Sequence, residues 1–210
     1  MLLVGYAFRY EPDWLISELR ENIDWADGFV VYDTRDAAET WVPAKQRTRV
    51  LYNLAVEWGR TAGRKIWFLQ TAPDERFEVG AGDVIHDAIA AHPTSRFTFR
   101  LRELWTPTAY RVDGVWGSKQ RRRLYRLTSG GPVGDTTVNL DVNLYHLKMI
   151  EPDNRRRRRE VFTDHNTWDN RRQGFGYLTD EHGLMLEEIP KGRGFTPPYR
   201  QYDFTVPGYQ

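Results

Sequence analysis

Gly28-Phe29-Val30-Val31-Tyr32-Asp33 is a short apolar run opened by a glycine and stopped by an acid. Continuous hydrophobicity without polar alternation fits a strand covered on both faces. Upstream, Leu2-Leu3-Val4-Gly5-Tyr6-Ala7-Phe8 has the same character, and downstream so does Lys65-Ile66-Trp67-Phe68-Leu69. The segments between carry helical signals. Pro12 suits a first helical turn, and Trp14, Leu15, Leu19 and Ile23 fall near helical spacing. From Ala44 to Thr61, Val50, Leu51, Leu54, Ala55 and Trp58 draw one apolar stripe, ended by Gly63. Asp83 to Ala91 reads as a further short helix, closed by His92-Pro93. This alternation predicts an α/β fold: a Rossmann-type, mostly parallel central sheet flanked by helices.

After residue 93 the pattern changes. Phe97 and Phe99 alternate with polar positions, and Tyr110-Arg111-Val112, Asp113-Gly114 and Val115-Trp116 predict a hairpin. Residues 123–127 predict another strand, residues 129–134 a flexible loop, and residues 142–150 an apolar strand around His146. The tail from Gly192 is rich in Gly, Pro and Tyr and reads as irregular chain. The expected organisation is a single domain with a first half at 1–93, a second at 94–150, and a basic helical and irregular extension at 151–210; the resemblance given below makes the first the nucleotide-sugar half and the second the acceptor half.

The composition narrows the classes. A length of 210 residues suits one domain, and 40% hydrophobic with 14% aromatic content supplies a core and excludes intrinsic disorder. The absence of cysteine excludes disulfides, thiolate metal sites and a cysteine nucleophile. No stretch approaches the ~18 apolar residues that span a bilayer, and Met1 to Phe8 is too short an apolar start for a signal peptide. No membrane partner and a cytoplasmic location are therefore expected. The net charge of +1 names no partner, but it is unevenly spread: residues 1–104 carry 13 basic and 16 acidic side chains, and residues 105–210 carry 17 and 13.

In open parallel sheets, ligands bind at the carboxyl ends of the strands. Asp33 closes the second strand, with Asp36 close behind, and Asp74 and Glu75 follow the third. Carboxylates there accept hydrogen bonds from a ribose or base, hold a hard cation, or simply cap the next helix.

With these residues in view, the chain resembles a family. Residues 29–33, Thr40, the helix from Arg47 to Trp58, Trp67-Phe68-Leu69 and Pro73-Asp74-Glu75-Arg76-Phe77-Glu78 look like the nucleotide-sugar half of a family 2-like glycosyltransferase of the GT-A fold, in a short phage-type form. The resemblance implies a GT-A-like sheet and sugar transfer from a nucleotide-diphosphate sugar, such as a UDP-sugar, to an acceptor hydroxyl. For a phage-encoded chain it implies the host cytoplasm. It assigns the nucleobase contact to Asp33 and the divalent cation, Mn²⁺ or Mg²⁺, to Asp74. His146, in Tyr145-His146-Leu147, is the further metal ligand. The first acid of the family's Asp-x-Asp-Glu motif falls on Ala72, which weakens the metal and shifts leaving-group stabilisation toward basic side chains: Arg47, Arg49 and the stretch from Lys119 to Arg126. A carboxylate must also deprotonate the acceptor. Asp135, behind a Gly-rich loop, is the first candidate, with Asp141, Asp180 and Glu181 as rivals.

The acceptor reading rests on the arginines. Arg155, Arg156, Arg157, Arg158 and Arg159 are consecutive, and on a helix they ring the axis. They form either a solvated helix or a contact for nucleic-acid phosphates, extended by Arg171, Arg172 and Lys191, with Trp168, Phe175 and Tyr177 to stack on bases. Modified DNA carrying a hydroxymethylated pyrimidine is then the expected acceptor. A protein or glycan acceptor, or a non-catalytic nucleic-acid-binding module, is the alternative.

Overall fold

The computed structural model of the chain describes residues 1–8, 11–34, 42, 44–164 and 175–201. The first half follows the sequence pattern. Strand β1 (Leu2–Phe8) leads to helix α1 (Asp13–Asn22), strand β2 (Gly28–Asp33), helix α2 (Ala44–Ala62) and strand β3 (Ile66–Gln70). β1 pairs in parallel with β2 on one side and β3 on the other. Strand β4 (Glu75–Phe77) follows at once, then helix α3 (Ala81–Ala91) and strand β5 (Ser95–Glu103).

The expected mostly parallel sheet flanked by helices is not what forms. β6 (Ala109–Arg111), β7 (Gln120–Thr128), β8 (Gly131–Val133) and β9 (Thr136–His146) complete the main sheet and its annex with no helix of more than one turn among them, and β10 (Leu186–Glu188) follows helix α4 (Pro152–Asp164). The sheet order is β2-β1-β3-β7-β5-β9-β4, with β8 on β7. Among the described residues, four of its seven pairings are antiparallel: β3–β7, β5–β7, β7–β8 and β4–β9. Parallel neighbours need a long crossover, whereas short links return the chain antiparallel. The second half has mostly short links, and the sheet is mixed and mostly antiparallel.

Two local expectations fail for related reasons. Residues 114–116 form a 3₁₀ turn rather than a strand, and β6 pairs instead with the distant β10. Residues 131–133, read as flexible loop, fold back as β8 on β7, using Gly131 at φ 104°, a conformation that glycine alone adopts readily.

The sheet is covered on two faces. Ile16 and Leu19 of α1, Ile23 just after it, and Ile85 and Ala88 of α3 pack with Val4, Tyr6, Phe97, Phe99 and Val142. On the other face Leu51 and Ala55 of α2 pack with Leu3, Phe68 and Tyr125. β7 runs against both of its neighbours, so β3 and β5 point the same way. The carboxyl ends of β1, β2, β3, β5 and β9 therefore share one edge with the amino end of β7.

Gly5 sits at the centre of this packing, where an added Cβ would lie 2.1 Å from the Phe68 ring. Phe68 is fully buried and has no room to yield. Gly5→Ala is expected to cost about 1–3 kcal/mol, read as a lowered urea midpoint at unchanged m-value.

Candidate functional site

The shared edge holds a chain of charged side chains. β4 pairs with β9 so that Glu75 faces His146, and the amide of Leu147 donates to the Asp74 carbonyl at 2.8 Å. Asp74 is thereby fixed beside His146. β5 and β9 pair in parallel with Glu103 in register with His146. The imidazole lies between the two acids: Nε2 is 3.0 Å from Asp74 Oδ2, and Nδ1 is 2.5 Å from Glu103 Oε2. Lys119 Nζ donates to Glu103 Oε1 at 2.9 Å, and Lys148 Nζ lies 3.8 Å from Asp74 Oδ2 and 4.0 Å from Glu11 Oε1.

The turn that carries Asp74 is clamped from behind. Arg76, fully buried, donates to the carbonyls of Pro73 (2.6 Å), Glu75 (2.9 Å) and Leu15 (3.1 Å). Asn22 of α1 bonds the Phe77 amide and carbonyl at 2.6 and 2.9 Å. Glu75 is buried too: it accepts from Thr71 Oγ1 and the Ala72 amide, each at 3.0 Å, and pairs with Arg123.

Burial alone would lower the pKa of His146, but Glu103 and Asp74 outweigh it and raise it to about 9. His146 is an imidazolium at neutral pH, donating from both nitrogens. Burial likewise opposes ionisation of Asp74 and Glu103, yet His146, with Lys148 beside the first and Lys119 beside the second, holds both well below the usual carboxylate range.

Asp74 and His146, the expected ligands of Mn²⁺ or Mg²⁺, are thus brought within 3.0 Å of each other, with Lys148 beside Asp74. Among the described residues no group of three or more His, Asp or Glu side chains is arranged to hold a metal ion.

The other expected residues divide. Asp33 ends β2 opposite Phe8, half-buried on the shared edge. Half-buried Arg47, near the start of α2, is coupled to Glu11, which joins it to Lys148. Lys119 is in the network. Asp135, exposed ahead of β9, is at the opposite edge, roughly 30 Å or more away along an 11-residue strand at about 3.3 Å per residue. Asp141, exposed between buried Leu140 and Val142 of β9, pairs with Arg100 at 2.7 Å and Arg193 at 3.0 Å. Neither lies on the edge that gathers Asp33, Asp74 and His146.

The arginine run does not form one basic surface. Arg155 is buried, donates to the Met149 carbonyl at 2.9 Å and lies 3.9 Å over the Trp105 ring. Arg157 and Arg158 are half-buried; Arg156 and Arg159 are exposed, the first paired with Asp153 and the second donating to Thr179 at 2.8 Å. Phe175 is buried, and Tyr177 packs 5.5 Å from Trp116. Glu181 pairs with Arg155 at 3.5 Å, and Asp180 accepts from the His182 amide at 2.9 Å. Asp36, Thr40, Trp168, Arg171 and Arg172 lie outside the described residues.

Compared with family models and with curated protein sequences, the chain matches none. No helix among the described residues is long and apolar enough to cross a membrane.

Sequence reasoning missed Glu103, Lys148 and Glu11. Glu103 ends an alternating stretch, Phe97 to Leu101, and an acid at a strand end was the signal already used for Asp33. Lys148 stands directly after the Tyr-His-Leu segment.

A raised folded-state pKa stabilises below the unfolded value of 6.5 and loses that contribution as pH climbs through about 9. Wild-type stability should therefore fall by a few kcal/mol between pH 6.5 and 9.5. His146→Gln removes the cation between two buried carboxylates and leaves each with one lysine, so it should cost about 3–5 kcal/mol near neutrality and flatten that alkaline slope, both read from urea unfolding across pH.

Proposed function

We propose that the chain is a glycosyltransferase that moves a sugar from a nucleoside-diphosphate sugar to an acceptor hydroxyl. One observation carries this reading. At the shared edge three acids are withdrawn, with side-chain exposures of 3% for Asp74, 3% for Glu75 and 7% for Glu103, while Lys148, Arg123 and Lys119 keep 31%, 23% and 19% and Asp33 is half-buried. A cluster that withdraws its carboxylates and offers ammonium and guanidinium tips suits an anion.

A diphosphate leaving group suits that edge. In transfer, the bond between the anomeric carbon and the diphosphate oxygen breaks, and its electron pair departs with the nucleotide. The acceptor oxygen bonds to that carbon and gives up its proton to a base. Lys148 and Lys119, held in place by Asp74 and Glu103, would neutralise the charge that develops on the leaving oxygen. His146 keeps both carboxylates fixed without itself taking a proton.

We assign the nucleoside to a cleft of about 300 Å³ between α1 and strands β1 and β2, lined by Tyr6, Phe8, Asp13, Ile16, Ser17, Arg20 and Val31. Arg20 Nε donates to the Tyr6 hydroxyl at 3.0 Å, and Asp33 follows Val31 on the same strand face. Apolar walls with few polar groups are what a base and ribose require.

The acceptor is chosen by assay, because the arginine run that pointed to DNA is turned inward at Arg155 and half-buried at Arg157 and Arg158. Transfer from a panel of nucleotide sugars to hydroxymethylated DNA, to glycans and to protein separates the acceptor classes.

Calorimetry with UDP and uridine tests the phosphate contact. Wild type should bind the diphosphate more tightly than the nucleoside. Lys148→Met should weaken diphosphate binding about tenfold or more and leave nucleoside binding unchanged. An absence of binding across UDP, GDP, dTDP and CDP defeats the proposal.

A further inference from the structure

We infer that the donor nucleotide carries a base with two hydrogen-bond acceptors side by side, guanine or cytosine, and that Arg20 reads it. The inference rests on the glycosyltransferase reading and its nucleoside cleft, and narrows the donor to a class.

The geometry begins with the direction of α1. Phe8 ends β1 at the shared edge, and α1 runs back beside the strand, for the Asp27 amide beyond its far end donates to the Leu2 carbonyl at 2.9 Å. Asp13, Ile16, Ser17 and Arg20 recur at helical spacing and form the α1 wall of the cleft. Asp13 stands toward the shared edge, where Glu11, just before it in the chain, lies 4.0 Å from Lys148. Arg20 stands roughly 10 Å farther along the helix, at about 1.5 Å per residue. A nucleotide whose diphosphate meets Lys148 therefore directs its base along the cleft toward Arg20. Phe8, Ile16 and Val31 supply apolar walls for the faces of that base.

Arg20 supplies the polar contact. Its Nε donates to the Tyr6 hydroxyl at 3.0 Å, and its guanidinium carbon lies 5.6 Å from the centre of the Phe29 ring. Tyr6 is fully buried, so this bond orients a guanidinium that is otherwise exposed. Among the described residues no carboxylate pairs with Arg20, and Nη1 and Nη2 keep their donors for a ligand. Two N–H groups in a planar fork match two acceptors held side by side. Guanine offers O6 and N7, and cytosine offers O2 and N3. In uracil and thymine an N–H donor separates the two carbonyls, and in adenine an amino donor stands beside N7, so none of these fills the fork.

Calorimetry compares GDP, CDP, UDP and ADP in wild type, Arg20→Met and the surface control Arg64→Met. In wild type GDP or CDP should bind about tenfold or more tightly than both UDP and ADP. Arg20→Met should erase that gap, and Arg64→Met should match wild type. UDP or ADP binding as tightly as the better of GDP and CDP, or a gap that survives in Arg20→Met, overturns the inference and leaves the glycosyltransferase reading standing. Failure of wild type to bind any nucleoside diphosphate removes both. Should Arg20→Met not fold, the wild type decides with the deaza analogue of the preferred nucleotide, which has C–H in place of the ring-nitrogen acceptor. That analogue should bind about tenfold more weakly than its parent, and equal affinity overturns the inference.

Discussion

The rest of the structure depends on one buried arrangement, an imidazolium held between two carboxylates. His146 closes β9, Glu103 closes β5, and Asp74 stands in the turn between β3 and β4. Each charge alone would be costly to remove from water, and together they satisfy one another. A buried network of this kind is a poor source of net stability, because an apolar replacement of the whole set would avoid the desolvation cost. It does impose a condition on the strands. Only the observed register of β5 on β9, and of β4 on β9, brings all three groups together. The antiparallel return of β4, which no helix imposes, is thereby tied to the parallel pair beside it.

The network has two ends, and both reach solvent through a lysine. From the buried imidazolium the signs alternate outward, through Glu103 to Lys119 and through Asp74 to Lys148, then Glu11 and Arg47. The outward charge of the edge is thus set by the protonation of His146: a neutral imidazole would leave the acids less compensated and draw both lysines further inward. Arg76 and Asn22 hold the Asp74 turn against α1, so the acid that Lys148 meets is fixed in place.

Much of this was legible in the residues, and the parts that were not have physical causes. The strands at 2–8, 28–33 and 66–70 and the helices between them showed in hydrophobic period, because each is covered by a helix and its pattern reports local packing. Asp33 and Asp74 were found by the same logic, as acids just past apolar runs. The sheet as a whole was misread because β7 and β4 join by non-local pairing, to which periodicity is blind; β4 is only Glu75–Phe77, too short for any pattern. Glu103 and Lys148 were missed because their meaning lies in a register between distant strands. Asp135 stood out for its glycine-rich approach, and the direction of β9 carries it to the edge opposite His146.

The arginine run shows why composition misleads where placement decides. As a string, Arg155 to Arg159 is a uniform positive block suited to a polyanion. On a helix, consecutive residues step about 100° apart, so packing one side against Trp105 and Met149 sorts identical side chains into different surroundings. Arg155 becomes a core residue through a carbonyl and an aromatic face. Arg156 and Arg159 stay at the surface with Asp153 and Thr179. Arg158, on the side of Arg155, is left in the field of Asp74 and Glu103. Ala72 bears on the same point. The turn before Asp74 lacks a second carboxylate, and Glu75 is turned away onto Thr71, Ala72 and Arg123. In the transfer proposed above, nitrogen cations meet the leaving diphosphate, and the turn from β9 into α4 sets one of them, Lys148, beside Asp74.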